Sequence, residues 1–131
     1  MLIQANEIQK VTNEVMNMLH EDELEVINEF HDAVKAKDVE KVDELFPGFL
    51  AEIEVHFKSE EEMMAQTSYP DAQMHISDHD AIRKKLEKFK KRWDVLKGPT
   101  ELLGFLENDF KKWYTQHISK WDSQTALHIG G

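Results

Sequence analysis

The feature that most constrains the fold is a helical repeat of apolar residues that runs through almost the whole chain. Apolar side chains recur at spacings of three and four residues, which places them on one face of an α-helix. In the first segment they are Ile8, Val11, Val15, Met18, Leu19, Val26, Ile27 and Phe30. The repeat predicts four helices, at about residues 6–36, 38–65, 70–96 and 100–121.

Few residues interrupt this pattern, since the chain contains only 5 glycines and 3 prolines. Asp38 can cap the second helix, and Pro47-Gly48 should kink that helix or separate its first turns. Pro70 suits the first position of the third helix. Gly98-Pro99 is a signal that ends the third helix, and Thr100 can cap the fourth.

Long helices joined by short connections pack with their neighbours antiparallel. The predicted fold is therefore all-α, an antiparallel up-down-up-down four-helix bundle. A length of 131 residues is about one domain. We expect a single domain over residues 1–131, with its core at about 6–122 and a short polar tail at 123–131.

Charge and composition exclude several classes of function. The 26 acidic and 16 basic residues give a net charge of −10, and such a surface repels the phosphates of nucleic acids. Cysteine is absent, which rules out disulfides and suits a reducing compartment. No segment resembles a secretory signal or reaches the length of about 18 apolar residues typical of a membrane span. We therefore expect a cytoplasmic protein that binds neither nucleic acid nor membrane.

Histidines and carboxylates recur along the helices at spacings that direct them into the bundle. They are His20 on the first helix, His56 and Glu60 on the second, His75 and His79 on the third, and His117 and Asp122 on the fourth. Two of these pairs are four residues apart and share a face, and His56 lies between the apolar Ile53 and Phe57. Uncompensated burial of so many polar groups would cost several kcal/mol, so the pattern predicts a metal centre. We assign His31 and His128 to the surface.

The composition of this set indicates which metal it would hold. Five imidazoles and two carboxylates are too many for one tetrahedral zinc ion and too rich in nitrogen for calcium or magnesium. They fit two iron ions, although manganese or cobalt could occupy the site in vitro. If both carboxylates bridge, and three histidines bind one ion and two bind the other, one further bridging oxygen leaves the second ion with an open position for a small ligand.

These residues resemble the hemerythrins, especially the single-domain bacterial ones, over about residues 15–122. The matching positions are His20, the run His56 to Met64 with Glu60 and Glu61, Tyr69-Pro70, His75 and His79, and the run Trp113 to Asp122 with His117 and Ile118. The resemblance implies two iron ions with a bridging oxo or hydroxo group and reversible binding of O2. It places His75, His79 and His117 on one iron and His20 and His56 on the other, with Glu60 and Asp122 as bridges.

We expect an apolar pocket beside the open position, which would keep out water. Its residues would be Trp113 and Ile118, with Phe57 and Trp121 packed nearby. Tyr114 lies three residues before His117, where many members of the family have leucine. Its phenol could hydrogen-bond a bound ligand, or it could admit protons and shorten the life of the oxygenated protein.

Other positions also differ from an ideal site. Members of the family commonly carry Asp three residues before the first histidine ligand, so Asn17 would support His20 only weakly. An aromatic N-terminal arm, frequent in the family, is missing, which would leave the His20 iron more exposed. The five-residue spacing of His117 and Asp122 overshoots one helical turn by about 140°. The family shares this spacing, and we expect the last helix to unwind at its end.

Four functions are compatible with this sequence. The first is carriage, storage or delivery of O2, with no catalytic residues. The second is a sensor module, in which O2 or nitric oxide alters a contact with a partner protein. The third is a di-iron oxidase or peroxidase made possible by Tyr114. The fourth is an interaction bundle without metal. Small anions are further candidate ligands of the open position.

Overall fold

A computed structural model describes residues 1–129, which form a bundle of four helices. The first three helices are α1 (Glu14–Lys35), α2 (Val39–Gln66) and α3 (Ala72–Leu96). The fourth helical run, residues 99–129, consists of α4 (Pro99–Gly104), α5 (Lys111–His117) and α6 (Ser123–Ile129), joined by π-helical segments at Phe105–Phe110 and Ile118–Asp122. No strand occurs within residues 1–129. The predicted all-α bundle is confirmed.

Side-chain contacts establish that consecutive helices run antiparallel. Between α1 and α2, His20 lies opposite His56, and Phe30 lies opposite Phe46 further along. Equivalent reversed contacts join α2 to α3 and α3 to the fourth helical run. In the part of the chain that the structure describes, no helix combines the length and apolar character needed to cross a bilayer.

The first helix begins eight residues later than the sequence predicted. Asn13 caps α1 by accepting a hydrogen bond from the Met16 amide at 3.0 Å. Residues 1–13 form an N-terminal segment, with a 3₁₀ turn at Ala5–Glu7, that lies along α1 instead of extending it. The side chains of Asn17 and Asn28 each hydrogen-bond both backbone groups of one residue in this segment, Val11 and Ile3 respectively.

The predicted signals at the other helix ends were correct in some places and wrong in others. Asp38 caps α2 as predicted, with the Lys41 amide 3.2 Å from its carboxylate. Helix α2 continues through Pro47 without dividing. Pro70 lies in the turn before α3, because its neighbour Asp71 occupies the cap position. Thr100 is not a cap, since the fourth run begins at Pro99 with Gly98 before it.

Aromatic side chains fill one half of the bundle. Phe30 stacks on Phe49 with ring centroids 4.5 Å apart, and Phe46 and Phe110 contact Phe49 at 6.2 and 5.5 Å. All four side chains are at most 1% exposed. Burial of one such side chain contributes about 1.5–3 kcal/mol, so this cluster holds α1, α2 and the fourth helical run together.

Two predictions about the surface were wrong. His31 is buried, because it shares the inward face of α1 with Ile27 and Val34, and its Nε2 lies 2.9 Å from the Glu107 carboxylate. Residues 123–129, expected as a polar tail, form α6, whose Thr125 is fully buried. The last two residues of the expected tail, 130 and 131, lie outside the described part of the chain. His128 is exposed, as predicted.

Candidate metal centre

Polar side chains from every helix meet in the half of the bundle away from the cluster of Phe30, Phe46, Phe49 and Phe110. The structure brings together all seven residues that the sequence singled out, and each is at most 2% exposed. Their candidate ligand atoms form two groups, each lying within 4.8 Å. The smaller group is His20, His56, Glu60 and Asp122, and the larger group is Glu60, His75, His79, His117 and Asp122.

Glu60 belongs to both groups because its two oxygens face in different directions. Oε2 contacts Nε2 of His56 and lies 3.6 Å from Nε2 of His20. Oε1 lies 3.1 Å from Nε2 of His79 and 3.3 Å from Nε2 of His75. A carboxylate placed in this way can bridge two metal ions, with one oxygen for each.

Asp122 repeats this arrangement from the opposite side of the cluster. Oδ2 lies 2.8 Å from Nε2 of His20 and 3.6 Å from Nε2 of His56. Oδ1 lies 2.9 Å from Nε2 of His117 and 3.0 Å from Nε2 of His75. Despite these short distances Oδ1 has no hydrogen-bond partner among residues 1–129, because the angles are unsuitable.

The donor set fits metal ions better than it fits hydrogen bonding. Nε2 of His117 lies 3.1 Å from Nε2 of both His75 and His79, and three such nitrogens satisfy one another poorly as donors and acceptors. Buried lone pairs of nitrogen and oxygen directed at common points are the environment of a first-row transition metal. The orphaned Asp122 Oδ1 is satisfied if it becomes a ligand.

Charge within the metal-free cluster is stabilised by mutual contacts. Burial raises the pKa of Glu60, but His56 and other histidines outweigh this and hold it well below its usual value. Burial and the Glu60 charge raise the pKa of Asp122. Contacts with His117 and His20 outweigh both effects and hold this pKa well below its usual value. Burial lowers the pKa of His117, whereas Asp122 raises it well above the usual value.

Comparisons with known proteins agree with this geometry. A family model described as Hemerythrin HHE cation binding domain matches residues 11–126. The chain belongs to the hemerythrin family. A bacteriohemerythrin from Aquifex aeolicus (strain VF5) is 38% identical over 130 residues, which are 99% of each protein. The family predicted from the sequence is confirmed.

Solved structures of hemerythrin variants have the same fold. One is a leucine-to-phenylalanine mutant, and another is a leucine-to-tyrosine mutant of hemerythrin. Each superposes with a TM-score of 0.86 at 21% identity, over 100% of this chain and 98% of the solved chain. At this identity the likeness establishes the four-helix architecture, and the chemistry must be argued from the residues of this chain.

In this member of the hemerythrin family, most of the histidine rings are held by a partner on the nitrogen that points away from the cluster. These partners of Nδ1 are Glu23 for His56, Glu61 for His79, Asp78 for His117 and Thr125 for His75. Such partners fix the orientation and tautomer of a ligating histidine and raise its basicity. The sequence analysis assigned a role to none of them.

Some of these partners had a signal in the sequence. Glu23 lies three residues after His20 and four before Ile27, on the buried face of α1, where an acidic residue is unusual. Asp78 lies between His75 and His79 on α3. Thr125 had no such signal, because its segment was expected to be a tail.

His20 is the exception, since its Nδ1 has no hydrogen-bond partner among the described residues. Asn17 does not support this ring, because its side chain binds the backbone of Val11. The His20 side chain itself is buried, at 2% exposed. The N-terminal segment covers it with aliphatic side chains and leaves a cavity of about 80 Å³ that His20 and Ile8 help to line.

Aromatic and aliphatic side chains enclose the cluster. The Phe57 ring stacks on His79 at 4.1 Å, and Trp113 stacks on His117 at 4.6 Å. Trp121 lies 6.1 Å from the His75 ring, and Ile118 is fully buried. The three aromatic side chains therefore pack against histidine rings of the cluster, while the pocket beside an open metal position stays a prediction.

Tyr114 is buried close to the acidic groups of the cluster. Its hydroxyl lies beside Glu23 but has no hydrogen bond of normal geometry among residues 1–129. Burial, and then the negative charges of Glu23, Asp122 and Glu60, raise the pKa of Tyr114 well above its usual value. The phenol therefore keeps its proton at neutral pH.

Metal uptake should weaken as the pH falls. Burial lowers the pKa of both His56 and His117, but neighbouring carboxylates raise it well above the usual histidine value, so these rings hold a proton more tightly than a free histidine does. A metal ion must displace those protons. We expect the affinity for cobalt(II) to increase with pH beyond about 6.5, with release of protons. Titrations with cobalt(II) at several pH values in weak buffer measure the affinity and the number of protons released. An affinity that is constant with pH would contradict this expectation.

Proposed function

We propose that this protein binds two iron ions, joined by an oxo or hydroxo group, and uses them to bind O2 reversibly for carriage, storage or delivery. The observation that carries the proposal is the placement of Glu60 and Asp122, each of which presents one oxygen to each group of histidines. When bound, the iron pair would supply electrons for O2 and an open coordination position.

The proposed ligands divide unequally between the two ions. His75, His79 and His117 would bind one iron, and His20 and His56 would bind the other. If Glu60 and Asp122 serve both ions equally, the second ion would have one protein ligand fewer than the first. The open position is therefore proposed beside His20 and His56, where O2 would bind. Nitric oxide and small anions could compete for it.

The enclosing side chains support reversible binding. Phe57 and Trp113 present apolar surface to the cluster, and such walls would limit the water that displaces a bound ligand and leaves oxidised iron. The carboxylates that hold the histidines fix the rings before metal arrives, which lowers the ordering cost of binding. We infer no catalytic residues. The absence of cysteine suits the proposed cytoplasmic location.

The test begins with protein loaded with ferrous iron in the absence of air. O2 is added, the visible spectrum is recorded, and the O2 is then removed. A charge-transfer band that appears and disappears over repeated cycles is the expected result. Protein loaded with zinc is the control, because zinc has no redox chemistry. A band that bleaches irreversibly with turnover of an added reductant would favour an oxidase or peroxidase, and no band would overturn the proposal.

Tyr114→Phe should lengthen the life of the oxygenated protein several-fold. The substitution keeps the ring that packs 5.8 Å from Phe110 and removes a buried hydroxyl that has no protein acceptor of normal geometry among residues 1–129. With a ligand bound, this protonated hydroxyl would be a proton donor close to Glu60 and Asp122, and proton donation would promote loss of the ligand. The autoxidation rate in air-saturated buffer measures the effect, with exposed Thr100→Ala as the control. A rate that is unchanged or faster would contradict this assignment.

A further inference from the structure

Arg83 of α3 lies outside the predicted site and contacts three carboxylates at once. Its guanidinium donates hydrogen bonds to both oxygens of Glu54 at 2.7 and 3.0 Å. It also donates to both oxygens of Glu61 at 2.8 and 3.3 Å, and to Asp80 at 2.9 Å. The planar, forked guanidinium suits such paired contacts, which lysine cannot reproduce.

Glu61 connects this arginine to the candidate metal centre. Its Oε2 accepts a hydrogen bond from Arg83 at 2.8 Å and faces Nδ1 of His79 at 2.9 Å. On the other side of the ring, Nε2 of His79 lies 3.1 Å from Glu60 Oε1. Arg83 is therefore one carboxylate away from a histidine that faces the centre.

A second set of contacts reaches the same histidine. The Arg83 guanidinium carbon lies 5.1 Å from the centroid of the Phe57 ring, which is within the range of a cation–π contact. That ring stacks on His79 with the planes 11° apart. Arg83 thus contacts one group that accepts the ring N–H of His79 and another that covers its face.

We propose that Arg83 is a positioning residue of the metal centre, which holds Glu61 in the rotamer that binds His79. Glu61 is 22% exposed, so packing alone does not confine it. Glu23, which has the same relation to His56, is 1% exposed and is enclosed by α1 and α2. A partly exposed carboxylate needs a bond to keep its place, and Arg83 supplies two.

The local charges strengthen this inference. Three carboxylates, those of Glu54, Glu61 and Asp80, share one guanidinium. Without that positive charge the three carboxylates repel one another, and the repulsion acts against the rotamer in which Glu61 reaches His79. His79 would lose its acceptor and with it the fixed tautomer that presents a lone pair to the metal.

The first test uses metal-free protein, so it does not require the proposed function to be correct. Nitrogen-edited NMR of the imidazole groups gives the tautomer of His79 and the exchange rate of its Nδ1 proton. We expect Arg83→Gln to accelerate this exchange several-fold, toward the rate in Glu61→Ala. Glu54→Gln is the matched control, because it removes part of the Arg83 contact between α2 and α3 but leaves Glu61 bound.

The second test measures cobalt(II) binding by the same variants. Arg83→Gln should weaken the binding of one ion about tenfold, Arg83→Lys should recover part of the loss, and Glu54→Gln should bind as the parent does. If Arg83→Gln and Glu54→Gln lower the melting temperature equally and leave His79 exchange unchanged, Arg83 only tethers two helices and the proposal is overturned. If the parent binds no cobalt, the proposed function fails, while the NMR result still decides the role of Arg83.

Discussion

Asp122→Asn should reduce the metal bound by each chain from two ions to one or none. The two oxygens of Asp122 face different histidine groups, with Oδ2 at 2.8 Å from His20 and Oδ1 at 2.9 Å from His117. Asparagine offers one oxygen of weaker affinity, and its NH₂ group cannot ligate. One bridge is lost, and the negative charge that attracts both ions falls. Metal analysis after anaerobic loading with cobalt(II) and desalting gives the stoichiometry.

The control for this variant is Asp109→Asn, which removes an exposed acidic residue from the other π segment of the same helical run. It changes the net charge by the same amount and should keep two ions. Far-UV circular dichroism of both metal-free variants tests whether the bundle has formed. Two tightly bound ions in folded Asp122→Asn would mean that Asp122 is not a bridge.

The fold could be predicted because a helix that buries one face must carry apolar residues at the helical spacing of three and four. Four stretches of that period, joined by short connections, favour an antiparallel bundle. The start of α1 was wrong for a physical reason: Ile8 and Val11 continue the helical spacing, but Asn13 caps the helix after them. The backbone groups of Ile3 and Val11 are satisfied instead by the side chains of Asn28 and Asn17, and these pairings leave no trace in the helical spacing of apolar residues.

The position of Asp122 illustrates a different limit. The sequence implied that an i+5 ligand pair needs a departure from the α-helix, and we expected unwinding at a helix end. The structure instead widens the helix at Ile118–Asp122 and then continues as Ser123–Ile129. A π-helical turn has hydrogen bonds from i to i+5, so it includes one additional residue and brings the fifth residue nearer to the same face. The helix propensities of the amino acids do not distinguish a π-helical turn from an α-helical one.

The central groups of the site were easier to predict than their supports. His56 and Glu60, or His75 and His79, reveal a common direction through their own spacing. The partners on Nδ1 usually come from another helix, as Glu23 does for His56, and that pairing depends on how the helices pack. His31 shows both cases: its spacing from Ile27 and Val34 indicates the inward face of α1, whereas its pairing with Glu107, 76 residues away, has no such signal. Pairings between helices therefore required the structure.

Glu23→Gln should lower the affinity for one of the two metal ions about 10- to 100-fold, the effect expected when such a supporting carboxylate is changed. Both oxygens of Glu23 lie within hydrogen-bond distance of Nδ1 of His56, at 2.8 and 2.9 Å, and the side chain is 1% exposed. A buried carboxylate there makes the ring a better donor to metal. Glutamine keeps the shape and can accept the hydrogen bond, but it removes the charge.

The loss should fall on the ion bound by His20 and His56. His20 has no Nδ1 partner of its own among the described residues, so this group depends on Glu23 more than the other group depends on any single support. A cobalt(II) titration should become biphasic, with one ion bound as in the parent. Glu25→Gln, an exposed position two residues along α1, is the charge-matched control.

A packing role for Glu23 makes a different prediction, and one more variant distinguishes them. If Glu23 only fills space between α1 and α2, Glu23→Gln keeps the volume and leaves both affinities unchanged. Glu23→Leu would then also bind two ions, because it removes a buried charge and keeps an apolar contact. If Glu23 supports His56, both variants lose the same ion, and Glu23→Leu loses more because it leaves the Nδ1 proton without an acceptor. The order of the two variants in metal affinity therefore decides between support of the ligand and packing.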